Sequence, residues 1–271
     1  MRLLYVTDLH GCEAKYSAAL AAARRAGVAA VINGGDMLPH ARNLHSQGEF
    51  LTGFLDRHLA ECASAGLAFL GLLGNDDLRI FDGLFSETLA RHGACDLAQR
   101  RVTLGGFEFI GCNWVCDYPF RLKDRCRMDS RQYIFQPQLG PGRLSRPDGW
   151  EGLPDWPAYA RALPTLRDEL EKLPAPDDPS RAVYVIHMPP AGLGLDCCAT
   201  GQEVGSKAVR EFLLARRPLV SLHGHIHESP AVSGVWRARL GPTLCIQPGQ
   251  FGKFAFVILD LETGAAERIE E

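Results

Sequence analysis

An α/β fold built on a largely buried sheet is the class this sequence predicts, and two observations carry the prediction. Short apolar runs, LLYV (3 to 6), VAAVIN (28 to 33) and GLAFLGLL (66 to 73), alternate with an Ala-rich stretch (14 to 26) and a helical pattern near 48 to 64. That strand, helix, strand order argues for right-handed βαβ crossovers. In addition, 46% of the 271 residues are hydrophobic, enough to fill a sizeable core in one large domain.

The remaining elements follow in order. RRVTLGGFEFIG (100 to 111) reads as a hairpin turning at Gly105-Gly106. Residues 113 to 181 break the pattern: nine of the 17 prolines fall between Pro137 and Pro179, so this insertion is expected to be mostly irregular, with a helix around 163 to 173. AVYVIH (182 to 187) resumes a strand, SKAVREFLLARR (206 to 217) is an amphipathic helix with Ser206 as its N-cap, and PLVSLHGHIH (218 to 227) is a strand running into a loop. The last forty residues read as three short strands. The whole of residues 1 to 271 is therefore expected to be one domain carrying the 113 to 181 insertion.

Charge and cysteine usage exclude several classes. A net charge of -3 and a pI near 6.3 give no overall footprint for duplex nucleic acid or an anionic membrane. No apolar stretch approaches the roughly 20 residues that span a bilayer. The nine cysteines lack C-x-x-C spacing, and the chain enters MRLLYVTDL without a charged and then apolar leader. A reduced, cytoplasmic protein is the expectation.

The strand ends carry the chemistry. Thr7-Asp8-Leu9-His10-Gly11, Asn33-Gly34-Gly35-Asp36 and Gly74-Asn75-Asp76-Asp77 follow the first three strands, and His187 and Gly224-His225-Ile226-His227 follow two later ones. Carboxyl ends of parallel strands gather at one sheet edge, so these groups are expected to converge. Carboxylate, imidazole and amide oxygen together suit divalent Mn, Fe, Co, Ni or Zn. Seven such ligands exceed one tetrahedral site and imply two metals sharing one of them.

D-x-H, G-D, G-N, a lone His and G-H-x-H, in that order from Asp8 to His227, resemble the calcineurin-like metallophosphoesterase superfamily. The resemblance implies a four-layer α/β/β/α sandwich with two mixed β-sheets. It assigns Asp8, His10, Asp36 and His227 to one divalent ion, and Asp36, Asn75, His187 and His225 to the other, with Asp36 bridging. It further implies a phosphoester hydrolase, in which the two ions activate a water for in-line attack on phosphorus. Asp76 occupies the position from which a His often protonates the leaving group. A carboxylate is poorly suited to that task, so Asp76 in a raised-pKa pocket, or else His40 or His45, is expected to serve as the acid.

A weak acid favours a phosphodiesterase over a phosphomonoesterase or protein phosphatase; a non-catalytic interaction scaffold is the alternative of another class. Between Arg121 and Arg146 stand seven Lys or Arg against two Asp, interleaved with aromatic residues. This is expected to be either a pocket wall for a phosphorylated, nucleotide-like substrate or a solvated basic loop. Asp77 reads as a turn or cap residue, His58 and His92 as solvated helix positions, and His223 as a packing residue.

Overall fold

Alternation along Arg2–Val6 (β1) sorts its side chains to two faces, and the whole architecture follows from that sorting. Leu4 and Val6 pack beneath helices, while Leu3 and Tyr5 pack against a second sheet. The computed structural model describes residues 1 to 40 and 43 to 271.

The first sheet takes β1, Ala30–Asn33 (β2), Ala68–Gly71 (β3) and Cys95–Asp96 (β4), all parallel. The second begins with Arg101–Leu104 (β5) and Phe107–Cys112 (β6), the predicted hairpin. Its turn glycines, Gly105 and Gly106, have φ of 57° and 77°, the left-handed pair that a type I′ turn requires. The insertion contributes Val115–Cys116 (β7), Cys126–Arg127 (β8) and the hairpin Gly142–Arg146 (β9) with Gly149–Leu153 (β10). Ala182–Ile186 (β11), Val220–Leu222 (β12), Arg237–Leu240 (β13) and Thr243–Ile246 (β14) complete the second sheet, in the order β13-β14-β12-β11-β6-β5. Ala255–Asp260 (β15) and Ala266–Glu270 (β16) return antiparallel to the first sheet, giving β16-β15-β1-β2-β3-β4.

Both sheets are six-stranded and mixed. Helices Glu13–Ala26 (α1), Asp56–Ser64 (α3, preceded by Ser46–Phe50, α2) and Asp82–Arg91 (α4) cover the outer face of the first. Trp156–Arg161 (α5), Leu166–Glu171 (α6) and Lys207–Arg216 (α7) cover the second, and Ser229–Ser233 (α8) follows β12. The expected α/β/β/α sandwich is what the chain forms. Ser206 caps α7 as expected, its hydroxyl accepting from Val209 N.

Three expectations are corrected. The helical stretch near 48 to 64 starts at Ser46 and passes through a π-turn at Leu51–Leu55. The last forty residues hold four strands, not three. The insertion does keep long irregular stretches as expected, residues 128 to 141 among them, and Pro157 is accommodated in the first turn of α5, where no N–H is needed. His58 is buried against Tyr16, Phe54 and Phe69 rather than solvated, and His92 is partly buried, 2.9 Å from Asp56. His223 does pack as expected, fully buried, its Nδ1–H shared between the carbonyls of Ile186 and Met188.

Candidate metal centre

Asp8, His10, Asp36, His225 and His227 leave the carboxyl ends of β1, β2 and β12, and four of them do so in strained backbone. Asp8, His10, Asp36 and His225 have φ of 57°, 44°, 48° and 72°, and they are four of only six non-glycine residues with positive φ among the described residues. Left-handed backbone costs a side-chain-bearing residue free energy, and it persists where the surroundings over-determine it. Here strand-end hydrogen bonds do so: Asp8 N donates to Gly35 O and His10 N to Asp36 O, each at 2.9 Å. Two glycines of the motifs are there for room. A Cβ on Gly35 would lie 2.5 Å from His187 Nδ1, and one on Gly74 would lie 2.2 Å from Asp36 Oδ1.

All seven expected ligands come together. Ligand atoms of Asp8, His10, Asp36 and His227 lie within 4.8 Å of one another. His227 Nε2 is 3.4 Å from Asp8 Oδ1 and 3.0 Å from His10 Nε2. In the neighbouring group, Asn75 Oδ1 is 3.0 Å from His187 Nε2 and 2.5 Å from His225 Nδ1. Asp36 Oδ2 reaches both groups, at 3.5 Å from His187 Nε2 and 3.9 Å from His10 Nε2. His225 N donates to Asp8 Oδ1 at 3.0 Å and so ties the two sheets together across the site.

Neighbouring groups fix which atoms face inward. His187 donates its Nδ1–H to Gly34 O at 2.8 Å, leaving the Nε2 lone pair for the site. Asn75 donates from Nδ2 to Asp76 Oδ1 at 3.0 Å, which turns its Oδ1 toward the two histidines.

The donor set fits divalent cations. Asp8 and Asp36 are buried, and no Lys or Arg among the described residues pairs with either. Burial opposes their charge, yet His227 beside Asp8 and His187 beside Asp36 hold both carboxyls below the usual range. The same burial works against charge on His187 and His227, and the carboxylates outweigh it, raising each to about 9. His225, for which burial prevails, falls to about 4. Asp8 Oδ2 has no hydrogen-bond partner among the described residues. Buried anions without a Lys or Arg partner, facing imidazole nitrogens and an amide oxygen, form a cradle for borderline divalent ions.

Asp76 lies just outside this cradle. Its Oδ2 is 3.2 Å from His40 Nδ1, and the His40 ring stacks on His10 at 4.3 Å. The hydrogen bond to Asp76 raises the His40 pKa against its partial burial. His45 is exposed at the start of α2 and does not line the site. Asp77 caps nothing: it is fully buried, accepting from Gly74 N, Met37 N and Leu38 N at 2.7, 3.0 and 2.8 Å, and so joins the β2 and β3 loops. Gln47 was not apparent from sequence. Its buried amide donates to Pro39 O and Asp76 O and accepts from Leu78 N, bracing the same two loops from α2.

The site opens into a cleft of about 1230 Å³, walled by insertion residues that include Tyr118, Phe120, Arg121, Tyr133, Arg143 and Trp150. The basic run of the insertion is neither wholly a substrate wall nor a solvated loop. Lys123, Arg125 and Arg127 are buried and paired with Asp117, Asp82 and Glu169.

Two six-stranded sheets with an Asp/His/Asn cluster at their strand ends define a metal-dependent phosphoester hydrolase. The family model described as calcineurin-like phosphoesterase matches residues 1–229, and the chain belongs to that family. No curated protein sequence matches it. Among solved structures it is similar to the protein TT1561 of Thermus thermophilus, at 16% identity and a TM-score of 0.57 over 99% of this chain and 98% of that one. It is also similar to a dimetal phosphatase from Danio rerio, at 13% identity and 0.52 over 95% and 91%. An archaeal phosphodiesterase matches at 13% identity and 0.50 over the whole of both chains. At these identities the likeness is one of fold.

Proposed function

We propose that this enzyme is a phosphodiesterase acting on a nucleotide-like substrate through two divalent ions, manganese among the candidates. Asp8, His10, Asp36 and His227 would hold one ion, and Asp36, Asn75, His187 and His225 the other, within a single domain of residues 1 to 271. The observation that carries the reading is Asp36 Oδ2, within 3.9 Å of a ring nitrogen from each ligand group. When bound, such a pair of ions supplies an activated water and polarises the phosphoryl oxygens for in-line displacement.

The protein's own residues supply orientation and the proton. Gly34 O holds His187 in one tautomer, and Asp76 holds the amide of Asn75. Protonated His40 gives its Nδ1–H to Asp76, which steadies the imidazolium, and its second proton, on Nε2, is the one handed to the departing oxygen, leaving His40 neutral. Asp76 thereby acts on the leaving group by holding its acid, which answers the difficulty of a carboxylate donating directly. A single exposed imidazole is a modest acid catalyst, and this supports diesters with good leaving groups over monoesters. Nine free thiols support a reducing compartment, the cytoplasm. Among the described residues no helix is long and apolar enough to cross a membrane.

The test is hydrolysis of bis-p-nitrophenyl phosphate, p-nitrophenyl phosphate and a phosphopeptide by metal-stripped protein with and without added Mn. The diester should be turned over fastest, and Asp36→Asn should abolish its turnover. A protein that takes up no transition metal and stays inert with Mn is a scaffold instead.

A further inference from the structure

Five of the seven basic residues between Arg121 and Arg146 are neutralised within the protein. Lys123, Arg125, Arg127, Arg131 and Arg146 pair with Asp117, Asp82, Glu169, Asp168 and Glu151. Among the described residues the other two, Arg121 and Arg143, have no carboxylate partner, and these same two line the cleft. Their backbones are adjacent, with Arg143 N donating to Arg121 O at 2.8 Å. Arg143 lies over Trp150, its guanidinium carbon 4.0 Å from the ring centroid, and its Nε is buried without a hydrogen-bond partner among the described residues.

Among the described residues Arg121 hydrogen-bonds only to the carbonyl of Pro141, through Nε. The other carboxylates that line the cleft are Asp36 and Asp76 at the metal centre, Asp129, which accepts from Ser206 Oγ, and Glu203 and Glu228 on other segments, while Asp117 is neutralised by Lys123. Rings connect this wall to the metal centre. Tyr118 lies 5.8 Å from His225, and Phe120, 62% exposed, lies 5.8 Å from Tyr118.

Unpaired guanidinium groups beside exposed flat rings match a ligand bearing both an anion and a base. We propose that Arg121 and Arg143 form a subsite for a second phosphate on the non-scissile part of the substrate, with Phe120 and Trp150 as stacking surfaces for its base. The substrate class is then a nucleotide diester carrying a terminal phosphate. This rests on the phosphodiesterase reading for catalysis, but the subsite itself can be read by binding alone.

The experiment is calorimetric titration of the full chain with the dinucleotide ApA and with its 5′-phosphorylated form pApA, first metal-free and then with Ca as a non-turnover ion. Wild-type protein should bind pApA at least about tenfold more tightly than ApA, the size of one charge-assisted phosphate contact. Arg143→Gln and Arg121→Gln should each erode that ratio, and Arg143→Lys should keep most of it. Equal affinity for the two ligands in wild type, or a preference that survives both glutamine variants, overturns the subsite. Inertness toward bis-p-nitrophenyl phosphate with Mn, alongside a retained pApA preference, overturns the catalytic reading and leaves the subsite standing.

Discussion

Asp77 and Asp76 are neighbours with separate duties, and single substitutions distinguish them. Asp77 accepts three buried backbone N–H groups, so Asp77→Ala orphans them all. At about 1 to 3 kcal/mol for each unsatisfied buried group, partly relieved by relaxation, a loss of at least about 3 kcal/mol is expected in urea denaturation. Asp76 is partly exposed and touches His40, so Asp76→Asn should leave stability nearly intact. It should lower kcat toward alkyl diesters by about a hundredfold, and toward aryl diesters far less, because a poor leaving group needs its proton most. A uniform collapse beyond about a thousandfold assigns Asp76 to the metal site instead. Sequence set Asp76 beside the leaving group and read Asp77 as a turn or cap residue, without the clasp between two loops that the fold gives Asp77. Their difference lies in which backbone groups the β2 loop presents, and that is a tertiary fact.

Within elements, periodicity and caps were readable and burial was not. Ser206 announces α7 and Gly105-Gly106 announces the hairpin, because those signals are local. His58 reads as a polar position on a helix, yet α3 turns it inward between aromatic rings, and the preceding π-turn that shifts the helix phase has no sequence signature. Burial lowers the His58 pKa to about 4. A depressed pKa in the folded state means the unfolded chain binds the extra proton first. Stability is therefore full above the unfolded value of about 6.5 and is lost as pH falls toward about 4. His58→Leu should flatten that acid limb, a comparison that urea midpoints at pH 7 and pH 5 can make.

At the scale of the molecule, five short motifs specified where the two sheets meet, since each placed a ligand at a strand end and strand ends share one edge. The insertion was less legible. Its charge looked like a surface property until Lys123, Arg125 and Arg127 proved to be internal struts. Because the proposed ligands come from both sheets, bound metal should hold the sandwich together. An ion present at about a hundred times its dissociation constant adds about 2.7 kcal/mol, so chelation should lower Tm by roughly 5 to 10 °C for each ion removed. A Tm unmoved by chelator and by added Mn counts against a cation in the cradle.

The insertion leaves the second sheet at Cys112 and returns at Ala182, between two strands that are paired in parallel over five registered positions. At the open end of that ladder His187 N bonds to Cys112 O at 3.0 Å, so this proposed ligand is anchored by the strands and not by the segment between them. Doubling such a connection costs only about 0.6 kcal/mol in closure entropy. The exposed turns of the segment can therefore lengthen or shorten without moving His187, whereas its buried base, where Arg125 Nε donates to Gly74 O at 2.8 Å beside Asn75, is tied to the centre.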